Sequence, residues 1–252
     1  MLANTPNRPI SATSSVPRTA APRRPLGLLF LLQFGVFAVT LVVLGGAIGW
    51  PASLDDPPAT MLPLLVAQRG AVALGYSCYL ASALLLIPIA VVVRRLTMAT
   101  EAQLPAIAAT LGVLAGLCKT FGILRWLTAM PTLAGLYGDP TSGQATRDAI
   151  AVVYIALNNY AGGIGELLGV DILAGLWTCF VALTIIRRGA APLPLPTWLG
   201  WFGLLAGASL LIGAVELIGL DLGSLTLTFS GVVWQLWMIA MGLMLLFRRH
   251  NA

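Results

Sequence analysis

Six apolar stretches, separated by polar or Pro/Gly-rich segments, set the pattern of this chain; they run over 26–50, 71–93, 105–127, 166–186, 198–218 and 227–247. A helix of about 20 apolar residues crosses ~30 Å of hydrocarbon, so each stretch is long enough to span a bilayer. Inside hydrocarbon, backbone N–H and C=O groups must be satisfied within the protein, which selects helices here. The pattern predicts an all-α polytopic membrane protein with six transmembrane helices in three antiparallel hairpins. Beyond 128 the rhythm changes. Thr141, Ser142, Gln144, Thr146, Arg147 and Asp148 are polar, and Ile150, Val153, Tyr154 and Leu157 follow at spacings of three and four. That is an amphipathic helix, expected outside the membrane, either lying along the surface or capping the bundle.

Residues 1–24 are rich in Ser, Thr, Pro, Arg and Ala without periodicity, and read as a disordered basic tail ahead of a six-helix domain at 25–249. The run 26–50 exceeds the ~7–15 residues of a signal-peptide core, so it reads as the first span. Between the fourth and fifth spans, alternating prolines at 192, 194 and 196 read as a short stiff spacer.

Composition agrees: 58% of residues are hydrophobic and 9% are charged. A soluble domain carries about 25% charged residues. The net charge of +5 suggests nucleic acid only until the basic residues are placed. They form no patch. Arg23 and Arg24 precede span 1, Arg94 and Arg95 follow span 2, Arg187 and Arg188 follow span 4, and Arg248 and Arg249 follow span 6. With spans alternating in direction, all four pairs fall on one side, which the positive-inside rule makes the cytoplasm. The expected location is a bacterial inner membrane, with both termini cytoplasmic and the bilayer as principal partner. Cys78, Cys118 and Cys179 each lie within an apolar run and read as buried apolar residues. Glycines four apart (Gly45/Gly49, Gly112/Gly116, Gly165/Gly169, Gly203/Gly207) predict close helix packing.

An ionisable group in a span is costly, and is usually paired or functional. If helix 3 enters near Pro105, Arg125 reaches the outer interface, with Lys119 about 9 Å deeper. If helix 4 leaves at Arg187, Glu166 lies at the outer interface and Asp171 about 7.5 Å deeper. Depth therefore predicts two ion pairs, Arg125 with Glu166 and Lys119 with Asp171, provided the two helices face each other. Lys119 is the sole lysine. The run Glu-Leu-Leu-Gly-Val-Asp at 166–171 returns as Glu-Leu-Ile-Gly-Leu-Asp at 216–221, a short likeness in common membrane residues. Arg69, Glu216 and Asn159 join the four paired groups in the candidate charge cluster, and Asp221 maps to the same outer half.

At these residues the chain resembles a family of bacterial six-helix membrane proteins known as domain of unknown function 4386. The resemblance lies in Leu124, Arg125 and Trp126, in Pro131 and 133–137, and in 146–149 leading to Asn159 and Tyr160. Gly165, Glu166, Leu168 and Gly169, and the Trp-Leu-Gly-Trp run from Trp198 to Trp201, complete it. It covers roughly 25–249 and implies a fold but no activity. It also implies that Arg125 and Glu166 belong to a family pattern.

The single histidine, His250, lies beyond the last span, so haem or metal ligation by histidine in the bilayer is excluded and no cofactor is implied. No Walker loop, His-Glu-x-x-His or Gly-x-Ser-x-Gly motif occurs. Nothing argues for an enzyme. The leading reading is a non-enzymatic accessory, scaffold or sensor protein whose outer charges pin the helices together. The second is a small transporter or binding protein using those charges as an outward-facing pocket for a small polar ligand. A lipid- or quinone-directed enzyme with Glu166 or Asp171 as acid or base is the third.

Overall fold

The computed structural model describes residues 23–97, 103–187, 195–220 and 223–247, and among these every regular element is helical. The leading tail, most of the proline-rich spacer, Asp221 and the closing Arg248 and Arg249 lie outside the described residues. Among the described residues six helices are long and apolar enough to cross a membrane.

Helix α1 (Arg23–Ile48) ends where Gly49 takes the left-handed conformation, φ 72°, which a residue without Cβ adopts freely. A short 3-10 turn (Ala52–Asp55) leads to α2 (Pro58–Ala67), whose first residue is a proline, a favoured helix start. Then come α3 (Arg69–Thr97) and α4 (Gln103–Leu127). Past Thr128 the chain resumes as α5 (Ala129–Gly138), turns, and enters α6 (Gln144–Gly162). From there a π-helical stretch (Gly163–Ala174) passes directly into α7 (Gly175–Ile186). The last pair is α8 (Thr197–Ile212), extended by a 3-10 turn (Gly213–Ile218), and α9 (Gly223–Phe247).

The molecule is built inside out relative to a soluble protein. Val42, Trp201, Phe229 and Phe247 stand largely exposed on its flanks, whereas Gln33, Lys119, Arg125 and Gln235 are buried. Lipid satisfies such flanks, and interior polar groups escape it. Glycines set the helix spacing, because a Cβ on Gly122 would fall 2.6 Å from the Gly165 Cα and one on Gly207 2.8 Å from the Gly175 carbonyl oxygen. Gly112 accommodates the Trp177 ring, and Gly203 that of Trp237. The Gly45/Gly49 pair differs: Gly45 has only the Trp50 carbonyl near it and Gly49 nothing, so it ends a helix rather than packing one.

Neighbouring spans run in opposite directions, since Gly27 near the start of α1 packs on Gly242 and Leu246 late in α9, and Gly200 early in α8 packs on Ile186. Arg23, Arg24, Arg94, Arg95 and Arg187 consequently share one end of the bundle.

The segment 128–165 caps the bundle, one of the two placements its pattern allowed, and does so by extending the spans. It is helical for most of its length, and it lengthens helices 3 and 4 instead of forming a separate surface helix. Helix 3 with α5 covers Gln103–Gly138, 36 residues, and helix 4 covers Gln144–Ile186, 43 residues. At 1.5 Å per residue these are about 54 Å and 65 Å, far beyond ~30 Å of hydrocarbon. Their ends project and pack with α2 into a cap. Met61, Leu62 and Leu65 of α2, Met130 and Ala134 of α5, and Ile150 and Tyr154 of α6 share its buried core. Of the amphipathic face read from sequence, Ile150 and Tyr154 are buried while Val153 is exposed. At the tip, the Thr141 hydroxyl (2.6 Å) and amide (2.7 Å) donate to the Asp139 carboxylate and hold its pKa below the ordinary value.

Candidate functional site

Where the cap meets the bundle, a cleft opens between helices 1 to 4, lined by Trp50, Leu54, Tyr76, Tyr79, Lys119, Gly122, Ile123, Arg125, Trp126, Gly165 and Glu166. Its space is about 280 Å³ with the mouth included, but the enclosed part has room for one water. Helices 3 and 4 approach most closely beside it, at Gly122 and Gly165. The glycine-rich run 162–169 lets helix 4 take its wide π turn here, a distortion that recurs at functional sites.

Arg125 is buried, with all three guanidinium nitrogens engaged. Nε donates to Asn158 Oδ1 at 3.2 Å, Nη1 to the Gly122 carbonyl at 2.9 Å and Nη2 to Glu166 Oε1 at 3.1 Å. Asn158 in turn donates to the Leu54 carbonyl at 3.0 Å. One side chain thus ties helix 3 to helix 4, to the cap and to the turn after helix 1. The guanidinium also stands 5.4 Å from the Trp126 ring, on which Tyr76 stacks at 5.0 Å. The Glu166 side chain is 52% exposed, which places it at the mouth.

Lys119 does not pair with Asp171, contrary to the depth argument. Among the described residues its ammonium meets rings: Nζ stands 5.4 Å from the centre of Tyr79 and 5.2 Å from that of Trp234. Such cation–π contacts partly replace water around a buried charge. The cause is azimuth. A Cβ on Gly169 would touch the Lys119 backbone nitrogen at 3.0 Å, so Gly169 faces helix 3. Asp171 follows two residues later, close to half a turn round the π-helical stretch, and points away. Its carboxylate lies against Gly213 in the extension of α8, on the side of Glu216.

The remaining members of the expected cluster disperse. Arg69 is exposed at the start of α3, Glu216 is exposed in the 3-10 turn after α8, and Asn159 is exposed on α6 while its neighbour Asn158 turns inward. Sequence reading also passed over the aromatic groups. The indole nitrogens of Trp50 and Trp126 and the Tyr76 hydroxyl are buried without hydrogen-bond partners, and all three residues line the cleft. Trp50 and Tyr79 rings meet edge to face at 5.4 Å, with Phe37 beside them. The available signal was depth: these rings carry polar tips at the level of Lys119 and Arg125. Elsewhere, Gln33 is fully buried in α1 with both amide atoms unpaired.

A family model described as domain of unknown function (DUF4386) matches residues 26–248. The chain belongs to the DUF4386 family. No curated protein and no solved structure matches it. The match covers all six spans of this DUF4386 protein and both long helices that form its cap.

Proposed function

We propose that this DUF4386 protein is a non-enzymatic binding protein of the plasma membrane, in which the outer cleft receives a hydrogen-bond acceptor. One observation carries the reading: Trp50, Tyr76, Lys119 and Trp126 line a single narrow cleft, and among the described residues the Trp50 and Trp126 indole nitrogens and the Tyr76 hydroxyl are buried without a hydrogen-bond partner while the Lys119 ammonium stands against aromatic rings. An indole N–H and an ammonium can only donate. Leaving such groups unpaired away from water costs about 1–3 kcal/mol each, and an acceptor removes that penalty. Arg125 plays another part. With its nitrogens held by Glu166, Asn158 and Gly122, it is the structural pin that shapes the cleft. The expected charge cluster therefore divides into a pin and a binding group.

Protein extracted in mild detergent and examined by native mass spectrometry should carry a non-covalent adduct. The double variant Trp50→Phe, Tyr76→Phe keeps an aromatic ring at both positions and removes two hydrogen-bonding tips, so adduct occupancy should fall by about tenfold. Wild-type protein of unadorned mass, or a double variant with undiminished occupancy, would refute the cleft as a binding site.

The reading extends to orientation, with the arginine-bearing end in the cytoplasm, the cap and cleft outside, and 25–249 as one unit after a basic tail. It is supported by Arg23, Arg24, Arg94, Arg95 and Arg187 sharing one end, because positively charged short segments stay cytoplasmic. Alkaline phosphatase inserted in the turn at 139–143 should be active in intact cells, and green fluorescent protein fused after Ala252 should fluoresce. The reverse result would invert the protein.

A further inference from the structure

We infer that the guest of the cleft is a monoanionic phosphodiester oxygen, such as an outer-leaflet lipid headgroup or a free phosphate ester presents. The inference rests on reading the cleft as a binding site and adds charge, size and place to it. Among the lining residues, Lys119 and Arg125 are cations and Glu166 is the one carboxylate. Glu166 is taken up by Arg125 at 3.1 Å, which leaves the Lys119 charge unbalanced. Asp171, the other acid on this stretch of helix 4, is turned toward Gly213. A buried charge without a counter-ion is strongly unfavourable, so one negative charge completes the site and two would overfill it.

Size narrows the choice further. The enclosed part of the cleft has room for one water, so it takes a single oxygen while the rest of the ligand stays outside. Trp50 Nε1, Trp126 Nε1 and the Tyr76 hydroxyl supply donors for an oxygen that Lys119 neutralises. The mouth, marked by half-exposed Glu166, lies at the outer membrane boundary in the proposed orientation, the level of phospholipid phosphates. Basic residues and interfacial Trp and Tyr are the groups that meet headgroups at that level.

The test uses the full chain purified in a non-ionic detergent and follows tryptophan fluorescence, since Trp50 and Trp126 line the cleft. The titrants are dihexanoyl phosphatidylglycerol, dihexanoylglycerol, dimethyl phosphate and duroquinone. Phosphatidylglycerol should produce a saturable change about tenfold tighter than the neutral diacylglycerol, which lacks the phosphodiester, and Lys119→Met should weaken it by about tenfold while Lys119→Arg keeps most of it. Trp50→Phe, which alters no charge, should weaken it less and serves as the decisive variant if Lys119→Met elutes as aggregate. Dimethyl phosphate, a free monoanionic diester, binding as tightly as phosphatidylglycerol supports the same chemistry and assigns its source to free anions. Duroquinone binding that Lys119→Met leaves unchanged, or equal binding of the two lipids, overturns the monoanion and retains an acceptor site. A wild-type protein that answers none of the four overturns the binding reading as well.

Discussion

Arg125→Ala should lose on the order of 3 kcal/mol of stability, the largest effect of any polar substitution in this protein. The replacement empties a buried site and withdraws every donor that Glu166, Asn158 Oδ1 and the Gly122 carbonyl receive there. Because Asn158 also holds the Leu54 carbonyl, loosening it frees the turn after helix 1 from the cap. Glu166→Gln is the informative contrast. An amide oxygen still accepts from Nη2, and the Glu166 side chain is 52% exposed, so the loss should stay near 1 kcal/mol or below. Cys78, Cys118 and Cys179 are free, half-buried reporters, so a thiol-reactive dye followed on heating measures both variants. Equal midpoints for Arg125→Ala and wild type would show that the guanidinium pins nothing.

Gly122→Ala should be nearly as damaging, at about 1–3 kcal/mol, and Gly122→Leu should leave no monodisperse protein in detergent. The reason is what the new Cβ meets. Its nearest atoms would be the Gly165 Cα at 2.6 Å and the Ala161 carbonyl oxygen at 3.0 Å, both backbone, so no side chain can swing clear. Helices 3 and 4 would have to separate beside the cleft. Gly135→Ala on α5 meets nothing within 4 Å and should be neutral or slightly stabilising, since alanine favours helix over glycine. The same thiol melts decide it: a normal midpoint for Gly122→Ala would mean the crossing is looser than described.

The spans were readable because hydrocarbon imposes length and apolarity on each of them, and the paired arginines mark their ends. Depth was readable too, since 1.5 Å per residue converts position into level, and Arg125 does meet Glu166 where the two levels coincide. Direction round the helix was not. The π turn at Gly163–Ala174 changes the angular step, and which residues face helix 3 depends on glycines whose contacts lie over forty positions away in sequence. Lys119 and Asp171 share a level and still miss each other for that reason. Of the two placements open to the amphipathic segment, surface or cap, its pattern alone could not choose, for a related reason. Residues 149–157 are apolar enough to look like a surface helix, and only the facing residues of α2 and α5 show that Ile150 and Tyr154 are covered. The aromatic lining was hidden in plain composition, because Trp and Tyr in a span look like lipid anchors until the fold puts them along one cleft.

The cap is joined to the bundle by unbroken helix on one side only. Its α6 runs on through the π turn into α7, whereas α5 rejoins α4 across the non-helical Thr128, and the two pack on each other and on α2 up to the turn around Asp139. Whatever grips or tilts that distal turn is therefore carried along helix 4 to its glycine crossing, Gly165 on Gly122, beside the arginine clasp and the lysine beneath it. An event tens of ångströms outside the membrane is thereby felt within it without any segment having to unfold.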